Sequence, residues 1–236
     1  MPSAFLTAEW RKLAMANYAL DPVILQKFIP FKTEIDLWNG TCYVSLVGFM
    51  FLNTKLKGVK IPFHTNFEEV NLRFYVRYKD GSEWKRGVVF IKEIVPKPAL
   101  TFVANAIYNE KYETMPMNHS WEINSTHITV EYGWKKETWQ NFRVRGNTTP
   151  TEINVGSEEE FITEHFWGYT KINDQRTNEY GVEHPRWNVY PIDDYSIQVD
   201  FRQIYGKEFS FLTNEKPKSV FLAEGSEIIV RSGTKI

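Results

Sequence analysis

Alternating and continuous apolar residues along the chain predict a protein built mainly of β-strands. Residues 69–78 (EVNLRFYVRY) carry apolar side chains at even positions and polar or aromatic ones at odd positions, which is the period of a strand with two different faces. Residues 41–51 and 86–95 are apolar on nearly both faces, as in strands that are covered on both sides. The same criteria predict four further strands, at residues 127–134, 141–147, 195–201 and 226–233.

Helices are fewer and are indicated by their starting residues. Asp21 followed by Pro22 is typical of an N-cap with proline in the first turn. Pro98 opens a second predicted helix, and Ser157 with Glu160 forms a capping box for a third. The segment RKLAMANYAL near the N-terminus fits either helix or strand.

These elements predict an α+β chain that is mostly β. The KDGSE turn between two of the strands indicates a hairpin. The expected architecture is an extensive, mostly antiparallel sheet, closed into a barrel or strongly curled, with a few short helices packed on it. No repeat, low-complexity tract or linker interrupts the pattern, so residues 1–236 are expected to form a single domain.

Composition and charge argue against two classes of partner, nucleic acids and membranes. The formal net charge is -1, with 28 basic and 29 acidic residues, so no basic field favours nucleic acid. No apolar stretch approaches the roughly 20 residues of a membrane helix, and the N-terminus has no signal-peptide pattern. A single cysteine, Cys42, agrees with a reducing compartment. We therefore expect a cytoplasmic protein with no nucleic-acid or membrane partner.

Motifs for several common chemistries are absent. The sequence has no glycine-rich phosphate loop and no Gly-x-Ser-x-Gly elbow. The five histidines are scattered without metal-ligand spacing. Cys42 lies in an apolar run, where a thiol is more often a small buried hydrophobe than a nucleophile. The sequence thus predicts no metal and no cofactor.

Lys92 is a candidate on chemical grounds. If residues 86–95 form a regular strand, Lys92 shares a face with Val88, Phe90 and Ile94, and such apolar surroundings favour an uncharged, nucleophilic amine. The alternative is a lysine near a strand end that reaches solvent.

Arg73 is a second candidate, on the polar face of residues 69–78. Together with Arg77, and with Glu69 ahead of them, it either binds a carboxylate through paired hydrogen bonds or belongs to a solvated face of the sheet.

Several segments in order resemble one protein family. Residues 18–51, from YALDP to GFMF, are followed by 61–78 (IPFHTNFEEVNLRFYVRY) and by 86–117, from RGVVFIKEIV to YETMPM. The later segments EHFWGYT and HPRWNVY look like landmarks of the same pattern. This order resembles the YqjF-like family of uncharacterised proteins, which is similar in fold to the acetoacetate decarboxylases. The resemblance implies an acetoacetate decarboxylase-like fold and an interior pocket, whereas fold alone does not fix the chemistry.

The resemblance also points to the turn around Lys111. Decarboxylases of this superfamily form a Schiff base through a lysine whose amine is activated by an adjacent lysine. Their Gly-x-Pro-Lys-Lys motif aligns with residues 109–113, which puts Tyr112 at the first lysine position and Lys111 at the proline. A one-residue slip in the turn restores Lys111, but the second lysine is missing. Glu110 and Glu113 on either side are expected to hold an amine here in its protonated form.

Two further positions follow from the resemblance. Glu69 falls where the decarboxylases carry an acidic pocket residue, and Arg11 falls near their active-site arginine. The expected pocket is lined by these two residues and by Arg73, Tyr112 and Met117. An arginine and a glutamate in one cavity suit a small carboxylate or carbonyl ligand.

Three hypotheses remain. The first is an interior pocket for a small carboxylate or carbonyl compound, either in a binding protein or in an enzyme without Schiff-base chemistry that uses Tyr112 or Glu69 as acid or base. The second is a lyase or decarboxylase that uses Lys111 or Lys92 on a small oxo acid. The third is a structural or interaction protein with a filled core. Whether identical chains assemble is left open.

Overall fold

The computed structural model of the chain describes residues 3–236, apart from the side chains of residues 107 and 108. Strands dominate these residues, as β1 (Ala4–Ala19), β2 (Thr33–Ile35), β3 (Tyr43–Leu56), β4 (Phe67–Asp80), β5 (Glu83–Val95), β6 (Tyr112–Thr114), β7 (Met117–Ile123), β8 (His127–Lys135), β9 (Trp139–Asn147), β10 (Thr151–Glu152), β11 (Trp167–Asn173), β12 (Arg176–Glu183), β13 (Asn188–Tyr190), β14 (Ile192–Gln198), β15 (Ser219–Arg231) and β16 (Thr234–Lys235). The helices are α1 (Pro98–Tyr108), α2 (Glu158–Thr163), α3 (Phe201–Tyr205) and two 3-10 helices, Pro22–Phe28 and Lys207–Thr213.

The strands form two sheets. The larger has the order β10-β13-β15-β1-β3-β4-β5-β11-β12-β16, and β2 and β6 pair with β4 and β5 beside this path. This sheet is curled so strongly that β12 also pairs with β15. Most pairings are antiparallel, whereas β5 runs parallel to both β6 and β11. The smaller sheet has the order β14-β9-β8-β7. The prediction of a mostly β chain with a curled sheet and few helices is confirmed.

Curling gives the larger sheet an interior and an exterior face. The inner core comprises buried side chains on the interior face together with residues of α2, among them Met15, Val47, Phe49, Phe67, Tyr75, Val88 and Phe161. The outer core lies on the opposite face, against the smaller sheet and α3, and includes Leu46, Val70, Leu72, Phe74, Ile94, Tyr132 and Phe201. At Gly48 a Cβ atom would lie 2.7 Å from Cδ2 of Tyr132, so the two sheets pack closely where β3 has no side chain.

Both faces of β4 are therefore covered. Val70, Leu72 and Phe74 pack in the outer core, and the polar odd-numbered residues face the interior with Phe67 and Tyr75. The alternation predicted for this strand is confirmed. The alternative of a solvated polar face is wrong for Arg73, which is only 8% exposed.

Local signals gave several correct boundaries. The side chain of Asp21 accepts a hydrogen bond from the Val23 amide at 2.9 Å, and Ser157 accepts one from the Glu160 amide at 3.2 Å. The predicted hairpin joins β4 and β5. The ambiguous segment RKLAMANYAL lies in β1, because pairing with β3 and β15 on both sides decides its conformation.

No helix among the described residues is long and apolar enough to cross a membrane.

Candidate functional site

A group of charged and hydroxyl side chains interrupts the inner core between β4, β5 and the chain around β6. We call it the polar cluster, and it consists of Glu69, Asn71, Arg73, Glu93, Glu110, Tyr112, Thr170 and Tyr180. Most of these side chains have no direct route to bulk solvent: Glu69 is 2% exposed and Glu93 is 3% exposed. Such a concentration of buried acids is unusual, because burial disfavours a charged carboxylate.

β4 supplies three members through its alternation. Glu69, Asn71 and Arg73 point to the interior from successive odd positions. The Asn71 amide donates to Glu69 Oε1 at 2.9 Å. The neighbouring strand β3 brings apolar Val47 and Phe49 opposite Asn71 and Glu69, so the acids face an apolar wall on that side.

A β-bulge in β5 brings Glu93 into the cluster. Phe90 pairs with Arg73, but Lys92 pairs with Leu72 and Glu93 with Asn71, so one extra residue changes the alternation at this point. Glu93 therefore faces the interior, and Lys92 faces the outer core. The prediction that Lys92 shares a face with Val88 and Phe90 is wrong for this reason.

Lys92 is instead part of an ion pair outside the polar cluster. Its Nζ lies 2.5 Å from Glu113 Oε2 and donates to the Ile204 carbonyl, also at 2.5 Å. Lys136 lies 3.1 Å from the other oxygen of Glu113. Glu113 is thus turned away from Lys111, contrary to the arrangement expected from the sequence.

Tyr112 enters the cluster from β6. Its hydroxyl donates to Glu69 Oε2 at 3.3 Å, and β6 places it beside Glu93 in the parallel pairing with β5. Asn105 of α1 fixes the backbone of Tyr112 at two points, since its side chain accepts from the amide and donates to the carbonyl, both at 2.8 Å. The helix thereby sets the position of the hydroxyl.

Glu110, Thr170 and Tyr180 complete the cluster. Thr170 of β11 donates to Glu110 Oε1 at 2.7 Å. Tyr180 of β12 pairs with Gly168, where a Cβ atom would lie 2.1 Å from Cζ of the Tyr180 ring. Glycine is required there because the ring lies on the backbone. Tyr112 and Tyr180 are both partly buried.

Burial dominates the acid–base properties of the three carboxyl groups. It raises the pKa of Glu69 to about 7, against hydrogen bonds from Asn71 and Tyr112 and the charge of Arg73. Burial likewise raises the pKa of Glu110 to about 7, opposed by Thr170 and Lys111. The pKa of Glu93 is raised well above its ordinary value by burial and then by the charges of Glu110 and Glu69. Burial therefore favours the protonated form of all three carboxyl groups.

The pKa values of the two tyrosines are raised as well. Burial raises the pKa of Tyr112, and the charges of Glu69, Glu93 and Glu110 raise it further. Tyr180 shows the same effect, with burial first. Both hydroxyls keep their protons at neutral pH, so they act as hydrogen-bond donors.

Lys111 lies beside the cluster. Its ammonium lies 5.2 Å from the ring centroid of Phe28. Burial lowers the pKa of Lys111, with Lys171 and Lys27 adding to the effect and Glu110 and Glu93 opposing it. The expected effect of a neighbouring carboxylate is present for Glu110, which raises the pKa of Lys111, but desolvation is the larger effect and lowers it.

The other two predicted lining residues are elsewhere. Arg11 lies on the exterior face of β1, since its neighbour Trp10 packs with the inner core, and its guanidinium lies 2.7 Å from Glu9 and 3.7 Å from Glu224. Met117 begins β7 in the smaller sheet and packs with the outer core. The structure brings together Glu69, Arg73 and Tyr112, but not Arg11, Met117 or Lys92.

Sequence reasoning missed Glu93, Tyr180 and Thr170. One signal was available for Glu93, a charged residue in an otherwise apolar run, but without the bulge its side could not be assigned. Tyr180 and Thr170 come from strands distant in sequence, and only the pairing of β5 with β11 and β12 brings them in.

Other parts of the molecule also hold charged groups, among them Asp36, Arg77, Arg86, Glu160 and Glu164 at a surface cleft. Two surface clefts of about 590 and 300 Å³ contain none of the predicted site residues. Among the residues that the structure describes, no three His, Cys, Asp or Glu side chains are placed to hold a metal ion. Burial raises the pKa of Cys42 to about 11, so its thiol is a poor nucleophile.

The chain is similar to known proteins in sequence and in fold. The chain is 24% identical over 179 residues to the uncharacterized protein YqjF of Bacillus subtilis, covering 75% of this chain and 72% of that protein. Among solved structures it is similar to acetoacetate decarboxylase from Legionella pneumophila, with a TM-score of 0.66 and 12% identity over 100% of this chain and 88% of that one.

A second solved neighbour is the enduracididine biosynthesis enzyme MppR complexed with pyruvate. Its TM-score is 0.65 at 9% identity, over 100% of this chain and 91% of that one. These likenesses show the acetoacetate decarboxylase-like fold. Residues 7–227 match the DUF2071 family of uncharacterized conserved proteins. The chain therefore belongs to the DUF2071 family.

Proposed function

We propose that the polar cluster is a pocket for a small carboxylate or carbonyl compound, with Arg73 binding the carboxylate. The observation that carries this proposal is the state of Arg73. Its Nε is buried and has no hydrogen-bond partner, and within the described part of the chain Arg73 forms no ion pair, although its charge lies 5.8 Å from the Tyr75 ring centroid and lowers the pKa of Glu69. A buried charge without a hydrogen-bonded counter-ion costs several kcal/mol. A ligand carboxylate on Arg73 removes that cost.

The acids beside Arg73 supply the means for proton transfer. Glu69 exchanges its proton near neutral pH because its pKa is raised to about 7, which suits a general acid or base. The Tyr112 hydroxyl donates its single proton to Glu69 Oε2 at 3.3 Å. Turned towards a ligand instead, it is suited to stabilise a carbonyl oxygen. The pocket then belongs to an enzyme without Schiff-base chemistry or to a binding protein that keeps such groups.

The comparisons support a ligand of this class. One neighbour in fold is an acetoacetate decarboxylase, and another was solved with pyruvate. Acetoacetate and pyruvate, the compounds that appear in these two descriptions, are both small oxo acids. At 12% and 9% identity they support the ligand class only together with Arg73.

The test is ligand binding with a matched pair of variants. Saturation-transfer NMR with pyruvate, acetoacetate and 2-oxobutyrate is expected to detect binding to the wild-type chain. Arg73→Gln is expected to weaken it at least about ten-fold, as loss of a buried charged hydrogen bond implies. Arg77→Gln is the control, because Arg77 lies on the same strand, is paired with Glu34 and is expected to leave binding unchanged. Absence of binding, or equal binding by Arg73→Gln, would contradict the proposal.

A Schiff-base lyase is the second candidate, and the state of Lys111 favours it. Burial and two neighbouring lysines lower the pKa of that amine, which is the direction that nucleophilic chemistry requires. Borohydride treatment with acetoacetate, followed by mass spectrometry, separates the candidates. A stable adduct on Lys111 would establish the lyase, and an unmodified chain supports the pocket without Schiff-base chemistry.

A further inference from the structure

Three buried polar atoms at neighbouring inward positions have no hydrogen-bond partner among the described residues. They are Asn71 Oδ1, Arg73 Nε and Glu93 Oε2. Asn71 and Glu93 face each other across β4 and β5, and Arg73 follows Asn71 on the same face. Asn71 Oδ1 accepts hydrogen bonds, Arg73 Nε donates, and the Glu93 carboxyl accepts when it is ionised. A ligand that satisfies all three must present both a donor and an acceptor.

The charges in the polar cluster also favour a ligand that carries a donor group. The polar cluster holds three carboxyl groups, those of Glu69, Glu93 and Glu110, and one guanidinium, that of Arg73, whose charge acts on Glu69. Lys92 faces the outer core and is paired with Glu113. Lys111 attracts Glu110 and Glu93 but makes no ion pair with either. A ligand with only a carboxylate adds a fourth acid, whereas a ligand with a cationic group stabilises the ionised form of these carboxyl groups.

A metal ion does not provide this cation. Within the described residues, no group of three carboxylate, histidine or cysteine side chains is placed to hold one. The cation that fits is therefore organic, and it must donate hydrogen bonds, as a protonated amine does.

We infer that the ligand is a zwitterion, a small carboxylate that also carries a protonated amine, as a free amino acid does. This inference rests on the proposed function. The ligand carboxylate lies on Arg73, and its ammonium group donates to Glu93 Oε2 and Asn71 Oδ1. Residues two apart on a strand are separated by about 6.5 Å, so a compact ligand reaches both ends. The ammonium favours ionised carboxylates, and binding therefore releases protons to solvent.

Isothermal titration calorimetry with matched ligand pairs tests the inference. Pyruvate is compared with alanine, 4-methyl-2-oxopentanoate with leucine, and phenylpyruvate with phenylalanine, each in two buffers of different ionisation enthalpy. In at least one pair the amino acid is expected to bind about ten-fold more tightly than its oxo acid and to release protons. The inference is overturned if every oxo acid binds as tightly as its partner, or if amino-acid binding takes up protons. Both of those results leave the proposed function intact. No binding by either member of any pair contradicts both proposals.

A variant locates the ammonium group. Glu93→Gln keeps the size of the side chain and removes its charge, so the preference for the amino acid is expected to fall to about two-fold or less while oxo-acid binding persists. Glu113→Gln is the matched control, since Glu113 is paired with Lys92 outside the polar cluster, and it is expected to keep the full preference. An undiminished preference in folded Glu93→Gln would overturn the inference.

Discussion

The carboxyl group of Glu69 has two opposing sets of neighbours. Apolar Phe49 and the surrounding inner core disfavour its charge, and Asn71, Tyr112 and Arg73 favour it. Burial is the larger effect, so the folded protein binds this proton more tightly than the unfolded chain does. The same balance decides the chemistry, because a group that titrates near neutral pH both accepts and returns a proton.

A stability prediction follows from Glu69. Its pKa rises from an ordinary 4.5 to about 7 on folding, so the wild-type protein loses stability as the pH rises through that interval. Glu69→Gln has no charge to bury. It is expected to be more stable than wild type above neutral pH, by on the order of 3 kcal/mol, and equal to it below the ordinary pKa of glutamate. Urea unfolding at several pH values measures this difference.

The control for that prediction is Glu34→Gln, at an exposed carboxylate of β2 paired with Arg77. It is expected to follow the wild-type pH dependence. If Glu69→Gln also follows it, the carboxyl of Glu69 is not the buried acid described above.

At the same scale, the sequence predicted some site residues and not others. Glu69 and Tyr112 were identified through a resemblance, and the alternation of β4 correctly placed Arg73 on the same face of that strand as Glu69. Arg11 was misplaced because a position near a relative's arginine does not say which face of β1 the side chain occupies. Lys111 was placed correctly in the turn, but the direction of its pKa depends on burial, which the sequence does not give.

At the scale of elements, the bulge in β5 decides the chemistry of the polar cluster. Regular alternation would put Lys92 in the interior with Phe90. The extra residue reverses this, and Glu93 faces inward instead. Local sequence did not reveal the bulge, because its apolar residues fit either register. Regular strands and capped helices were predictable for the opposite reason, since each carries its own local signal.

The contact of β11 with β12 gives a second prediction. A methyl group at Gly168 would lie 2.1 Å from Cζ of Tyr180, so Gly168→Ala must displace a rigid ring from the polar cluster. Overpacking of this kind typically costs about 1–3 kcal/mol. We expect a lower midpoint of thermal unfolding and weaker binding of any ligand of the pocket.

Gly181→Ala is the matched control, in β12 beside Tyr180. A Cβ atom there would meet no atom closer than 3.7 Å, so the substitution is expected to change neither property. Equal behaviour of the two variants would contradict the close packing of Tyr180 on Gly168.

At the scale of the whole molecule, the two sheets share the outer core. Buried Tyr132 of the smaller sheet packs against β3 at Gly48, and Phe201 of α3 lies in the same core. We therefore propose that the chain folds as one domain. A single unfolding transition, coincident in near-ultraviolet and far-ultraviolet circular dichroism, is expected. Separate transitions would indicate two units.

The interior of the curled sheet has a polar end, formed by the cluster, and an apolar remainder. A filled core would pair Arg73 directly with one of the acids, because a buried cation beside carboxylates gains from contact. The separation of these charges is the feature on which the proposed pocket rests.

A high-resolution crystal structure of the chain with a bound small carboxylate shows whether this pocket exists. Electron density for the ligand carboxylate, or for ordered water before it binds, is expected within about 3 Å of Arg73 Nε. A direct ion pair of Arg73 with Glu69 or Glu93, with no density between them, would contradict it.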